Sequence, residues 1–296
     1  QHAARPALCL ANGVLVVAYA SYADTDPYHG WVFSYNAANL AQLGVFNTTP
    51  NASIAAFGGN AAEGGIWQGG GGICVDASNK LYFEAGNGSF SANTNGGDYA
   101  DTIMKLSTTN GLTVADYFTP YDQATLAAQD IDLGSCGPLL LPDSVGSVAH
   151  PHLLVGVGKS GKIYLVDREN MGRWQAGSDG QIVEAFQGIG GSWSPPAYWN
   201  NLLFFQPSGG AMKEFSVSNA FINQNSVATA PASFGGVNGS PVISANGANN
   251  GIAWVLNNNG GNSGASGALY AFNALNISQM IWNSTQMGAR DDTGPL

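Results

Sequence analysis

The chain has 296 residues, of which only 9% are charged, far below the roughly 25% of ordinary soluble domains. Its 19 acids against nine bases give a net charge of −10, which excludes the clustered Lys and Arg that nucleic acid or an anionic membrane surface requires; cationic and neutral partners, sugars among them, stay open. A hydrophobic content of 45% with seven Trp residues excludes a disordered chain, and no apolar run approaches the ~20 residues of a membrane span.

From the N-terminus, the first predicted unit covers 6–50: a strand at Pro6–Leu10, a tight turn at Asn12-Gly13, a second strand, a polar loop, a third strand Trp31–Tyr35, then Leu43–Phe46. The same order of strand, tight turn, strand, longer loop, strand, Asn turn, strand returns over 70–120, 137–187, 194–234 and 239–286. These strands are called A to D. Tight A–B turns are expected at Asn79-Lys80, Asn200-Asn201 and Asn250-Gly251, where short apolar runs flank residues that tolerate positive φ. In the third unit the loop Asp143–Pro151 replaces the tight turn. A short helical turn is expected within Asp122–Asp130.

One pattern unites the units: an apolar residue, then Asn, Ser or Asp, two variable residues, then Asn. It stands at Tyr35–Asn39, Leu106–Asn110, Val166–Asn170, Phe215–Asn219 and Phe272–Asn276. Asn, Asp or Ser at its second position caps the backbone N–H groups that follow, which makes it the C–D turn. The copies lie 71, 60, 49 and 57 residues apart. Four antiparallel strands at this irregular spacing predict an all-β propeller of about five blades, not the shorter regular coils of a solenoid. Both ends fall on unit boundaries, so the expectation is a segment of a seven- or eight-bladed ring. No secretory leader is recognisable, so the sequence reads as a mature product or a fragment. Cys9, Cys74 and Cys136 allow one disulfide and one free thiol, or three buried inert thiols.

Strand C ending in an acid or Asn, with Trp beyond the turn, resembles the quinoprotein blade motif. Its best copies are Ala271-Phe272-Asn273 with Trp282, and Val166-Asp167 with Trp174. With Tyr28–Trp31, Gly65–Gln68 and Gly137–Asp143, the whole chain resembles secreted PQQ-binding-like β-propeller repeat proteins, related in fold to the quinoprotein alcohol dehydrogenases. The resemblance implies a secreted, extracellular setting, with PQQ and calcium as the relatives' cofactors. The chain departs from that pattern: Asn replaces the usual Thr-Gly turn, no adjacent cysteine pair exists, and no stretch matches the relatives' calcium ligands or catalytic Asp. No catalytic residue is therefore carried over. Six Asn-x-Ser/Thr sequons, at Asn47, Asn51, Asn87, Asn238, Asn276 and Asn283, are candidate glycosylation sites.

A propeller gathers its B–C and D–A loops on one face, around the mouth of the central channel, and ligand sites favour such mouths. Acids fall in these loops as Asp24 and Asp26, Asp98 and Asp101, and Asp130 and Asp132. Asp130-Ile131-Asp132 is the calcium candidate, because Asp-x-Asp spacing presents both carboxylates to one point; capping of turns is the alternative. Trp67 and Trp193 are suited to stacking on a planar cofactor or sugar ring, or to packing between blades. Lys159, among few bases, either meets a quinone carboxylate or pairs with a loop Asp. His150-Pro151-His152 offers a metal pair or an exposed loop.

Three functions follow. The first is a binding or structural module without its own catalysis, taking a glycan or small neutral ligand, with self-association or missing blades covering its open faces. The second is a PQQ- and calcium-dependent oxidoreductase. The third is a carbohydrate-binding propeller with sites repeated between blades.

Overall fold

The computed structural model describes residues 2–25, 27–52, 62–237, 239–258, 266–291 and 293–294. Its first sheet contains β1 (His2–Ala3), β2 (Cys9–Ala11), β3 (Val14–Ser21), β5 (Trp31–Asn36) and β6 (Gln42–Asn47), while β4 (Tyr28–His29) and β7 (Ala62–Glu63) form a separate parallel ribbon. The second sheet holds β8 (Cys74–Val75), β9 (Leu81–Ala85), β10 (Thr102–Ser107) and β11 (Thr113–Phe118), followed by helix α1 (Gln123–Ala128). The third holds β12 (Leu139–Leu140), β13 (Leu153–Val157), β14 (Lys162–Asp167) and β15 (Glu184–Gln187). The fourth holds β16 (Ala197–Trp199), β17 (Leu202–Phe205), β18 (Ala211–Ser218), β19 (Phe221–Ile222) and β20 (Ala228–Ser233). The fifth holds β21 (Val242–Asn246), β22 (Asn249–Asn257), β23 (Ala268–Asn273) and β24 (Met280–Asn283). All five sheets are antiparallel meanders, the blades of a β-propeller, and α1 lies where the short helical turn is expected.

The cores lie between consecutive sheets, because alternate residues of a strand face opposite sides. Val16 and Val32 of the first sheet pack with Leu81 and Phe83 of the second, whereas Tyr82 faces the third sheet's Leu154 and Tyr164. Val155 and Leu165 turn to Leu203 and Phe205 of the fourth sheet. Phe204, one residue along, meets Val255 and Phe272 of the fifth. Each inner sheet thus buries apolar residues on both faces, which explains why β13 and β17 read as continuous hydrophobic runs. Trp174, after the third C–D turn, packs against the core between the first two sheets.

The C–D turns show the chemistry of the repeat. The side chains of Asn36, Asp167 and Asn273 accept from the N–H two residues on, at 2.9, 2.8 and 3.0 Å; Ser107 does so at 3.3 Å. The A–B turns at Asn12-Gly13 and Asn200-Asn201 have positive φ at both central residues, the geometry that matches strand twist.

Three local expectations are corrected. The first strand A is β2, with β1 pairing farther along β3, not Pro6–Leu10: Pro6 has no N–H to give a ladder, and Ala7 instead donates to Gly71 O of the next unit at 3.1 Å. The fourth copy of the repeat is not an Asn-capped turn at Ser216, which lies inside β18; Asn219 and Ala220, both left-handed, make the hairpin. In the fifth sheet Asn246 pairs with Asn249, so the turn is Gly247-Ala248, upstream of Asn250-Gly251. The three cysteines are free, with Cys9 and Cys136 buried, and burial raises the Cys74 thiol to about 11.

Candidate functional site

A cavity of about 610 Å³ is built from the loops that a propeller gathers at its channel mouth. Asp24, Asn87 and Lys159 come from B–C loops of the first three sheets. Trp67, Asp130 and Asp132 come from the D–A connections between them, and Trp193 from the connection between the third and fourth sheets. The five residues Trp67, Asp130, Asp132, Lys159 and Trp193, scattered over more than a hundred positions, line this one space.

Helix α1 ends in a left-handed Asp130, φ 55°, and Ile131 donates to Leu126 O at 2.9 Å. That reversal aims both carboxylates at Lys159, whose Nζ lies 2.6 Å from Asp130 Oδ1 and 2.7 Å from Asp132 Oδ2. The Lys159 N–H donates to Asp132 O at 2.8 Å. The neighbouring Gly158 is required for this approach, since a Cβ there would stand 2.4 Å from the same carbonyl. Asn87 completes the knot, donating its N–H to Asp132 Oδ1 at 3.0 Å and its Nδ2 to Asp130 Oδ1 at 2.9 Å. Burial leaves the Asp132 carboxyl above the usual carboxylate range in spite of Lys159. For Lys159 burial acts to lower the ammonium, but the two carboxylates outweigh it and hold it above its ordinary value.

Asp-x-Asp spacing therefore does bring two carboxylates to one point, and the point is occupied by an ammonium group. Among the described residues no group of three or more His, Cys, Asp or Glu is arranged to hold a metal ion. His150 and His152 turn to different acids, Asp167 at 2.9 Å and Asp143 at 2.8 Å. Asp98 and Asp101 serve the loops: Asp98 accepts from Asn51 N at 2.8 Å, and buried Asp101 from Leu133 N at 3.2 Å. Asp26 lies outside the described residues.

The aromatic wall is built around Trp67. Tyr28 meets it edge-on, centroids 6.0 Å apart, and donates its phenol to Asp24 at 2.8 Å. The Arg5 guanidinium lies over the Trp67 ring, 5.5 Å from its centroid. Arg5 and Glu63 also line the cavity and were not legible as site residues. Nothing local marks Arg5, which reaches Trp67 only because the N-terminal segment crosses to the second unit. Glu84 is a further buried acid, and its signal was visible: one carboxylate in the apolar strand Leu81–Ala85.

Of the sequons, Asn51 is exposed and Asn47 and Asn276 are half-buried. Asn87 has its Nδ2 committed to Asp130. Asn283 is buried, and its Oδ1 accepts from Thr285 N at 3.1 Å. Asn238 lies outside the described residues.

No protein-family model and no curated protein matches the chain. Solved structures do. A quinohemoprotein alcohol dehydrogenase, ADHIIG from Pseudomonas putida HK5, is similar with a TM-score of 0.62 at 14% identity, over 94% of this chain and 51% of that one. BamB from Moraxella catarrhalis gives 0.48 at 11%, over 95% of this chain and 64% of that one. A europium-containing methanol dehydrogenase gives 0.42 at 14%, over 95% and 54%. The chain thus spans between half and two thirds of these proteins' lengths, and the likeness to the alcohol dehydrogenase shows the fold: a PQQ-like β-propeller.

Proposed function

We propose that this chain is an extracellular β-propeller binding module, without catalysis of its own, whose ligand site is the cavity at the channel mouth. The observation that carries the reading is the closure of the Asp130–Lys159–Asp132 triangle. Its one base is neutralised by two carboxylates and fixed by Asn87, so it acts as a rigid wall. Around it stand Tyr28, Trp67 and Trp193, the combination of aromatic faces and a few fixed polar groups typical of small-molecule sites.

The quinone–calcium reading fits these residues poorly. A carboxylate-bearing quinone needs cations, and the cavity sets Asp24, Glu63, Asp130 and Asp132 against Arg5 and Lys159. A calcium ion needs six to eight oxygens, and the two convergent carboxylates already hold an ammonium. No step through that group is derived. A site repeated between blades finds no support either, because the triangle belongs to the second and third sheets alone.

Calorimetric titration with a panel of sugars and small amines tests the reading. Saturable binding that weakens at least tenfold in Trp193→Ala is expected. Binding that ignores both Trp193→Ala and Trp67→Ala would place the ligand elsewhere and overturn it.

A further inference from the structure

Resting on the cavity's being a ligand site, we infer that its ligand is a small organic cation, an alkylammonium or quaternary ammonium group. The charge balance points there first. Among the described residues, four carboxylates and two bases line the space, within a chain of net charge −10, so an anion is repelled and a cation is drawn in. The aromatic wall points the same way, because a cation is attracted to the face of an indole ring within about 6 Å of its centroid. The molecule already makes that contact with itself: Arg5 lies 5.5 Å from the Trp67 centroid. It occupies the place a ligand cation would take, on a ring braced edge-on by Tyr28. The Tyr28 phenol is spent on Asp24, leaving its ring, and not a donor, for the cavity. An inorganic divalent ion is disfavoured for lack of a coordination shell among the described residues. A soft organic cation needs only ring faces and a negative field. Arg5 is then an internal competitor, which a ligand must displace from Trp67.

The test is calorimetry on the full chain with choline and its neutral isostere 3,3-dimethyl-1-butanol, in low salt. Choline is expected to bind at least tenfold more tightly than the isostere and to weaken as ionic strength rises. Arg5→Ala should tighten choline severalfold by removing the competitor. Trp67→Ala should weaken it at least tenfold, and Trp67→Phe by less, which guards against a folding defect in the alanine variant. Equal affinity for the two compounds, or an Arg5→Ala variant that binds choline no better, would overturn the cation assignment. If glucose binds in a Trp193-dependent manner while choline does not, the cation assignment falls and the binding-module reading stands. If none of the three binds, both fall.

Discussion

Glu84 sits in an otherwise apolar strand, wholly enclosed between the second and third sheets. Its Oε2 accepts from Gly137 N at 2.7 Å, and its Oε1 receives no hydrogen bond from any described residue. Burial pushes this carboxyl well above the ordinary range, and Asp101 is raised by burial and by nearby Asp132. An acid whose folded value is raised binds its proton more tightly in the native state. Stability contributed this way is present at low pH and is lost as pH rises from about 4, the unfolded value, through the raised folded value. The melting temperature should therefore climb as pH is lowered from 8 to 5, and Glu84→Gln should flatten that slope. A melting temperature that falls over the same range, or a slope unchanged in the variant, would contradict the assignment. Gly156 faces the same carboxylate, and a Cβ there would stand 2.6 Å from Glu84 Oε1 and 2.7 Å from Ile103 Cδ1. Gly156→Ala should cost about 1–3 kcal/mol as overpacking, measured by denaturant unfolding. Among the acids, spacing alone announced Asp130 and Asp132. It could not announce that their cation is Lys159, because that meeting depends on how two loops from different sheets approach.

The C–D turn is the element in which sequence and structure agree most closely, and its one failure is instructive. Asn36, Asp167 and Asn273 close their turns through their own side chains, a local interaction that five consecutive residues suffice to specify. Ser216 has the same pattern around it, but its backbone stays in β18 because Asn219 and Ala220 adopt left-handed angles and form a tighter hairpin. The competing turn lay in the same short segment, and its strand register decided between them. Asn273→Ala is expected to cost about 1 kcal/mol, the typical net worth of one hydrogen bond, whereas Ser216→Ala should change stability by less than about 0.5 kcal/mol. Chemical denaturation of the two variants side by side checks this. Equal losses would mean that the side-chain bond is not what holds the turn.

On the scale of the whole molecule, the five blade sheets of the described residues share four internal cores, and among those residues no core covers the outer face of the first or of the fifth sheet. The outer face of the first sheet carries Tyr19, Trp31, Phe33 and Tyr35, whose rings contact one another in a row. That of the fifth carries Trp254 and Trp282, centroids 6.4 Å apart, with Val242 60% exposed beside them. Each inner sheet buries such a face against its neighbour, and apolar patches of this kind associate when left uncovered. The 296-residue chain should therefore self-associate with rising concentration in sedimentation, and Phe33→Ser with Trp254→Ser should suppress it. A monodisperse monomer at all concentrations would contradict this. The repeat made the propeller readable from the sequence, since short strands and turn chemistry are local. The candidate site was readable only as a set of loops, because its residues come from different sheets.

The most direct measurement is the absorption spectrum and bound-metal content of the protein isolated from its source. A binding module whose carboxylate pair is closed by Lys159 predicts no quinone band and no stoichiometric calcium. A quinone band with one calcium per chain would contradict the account at its centre.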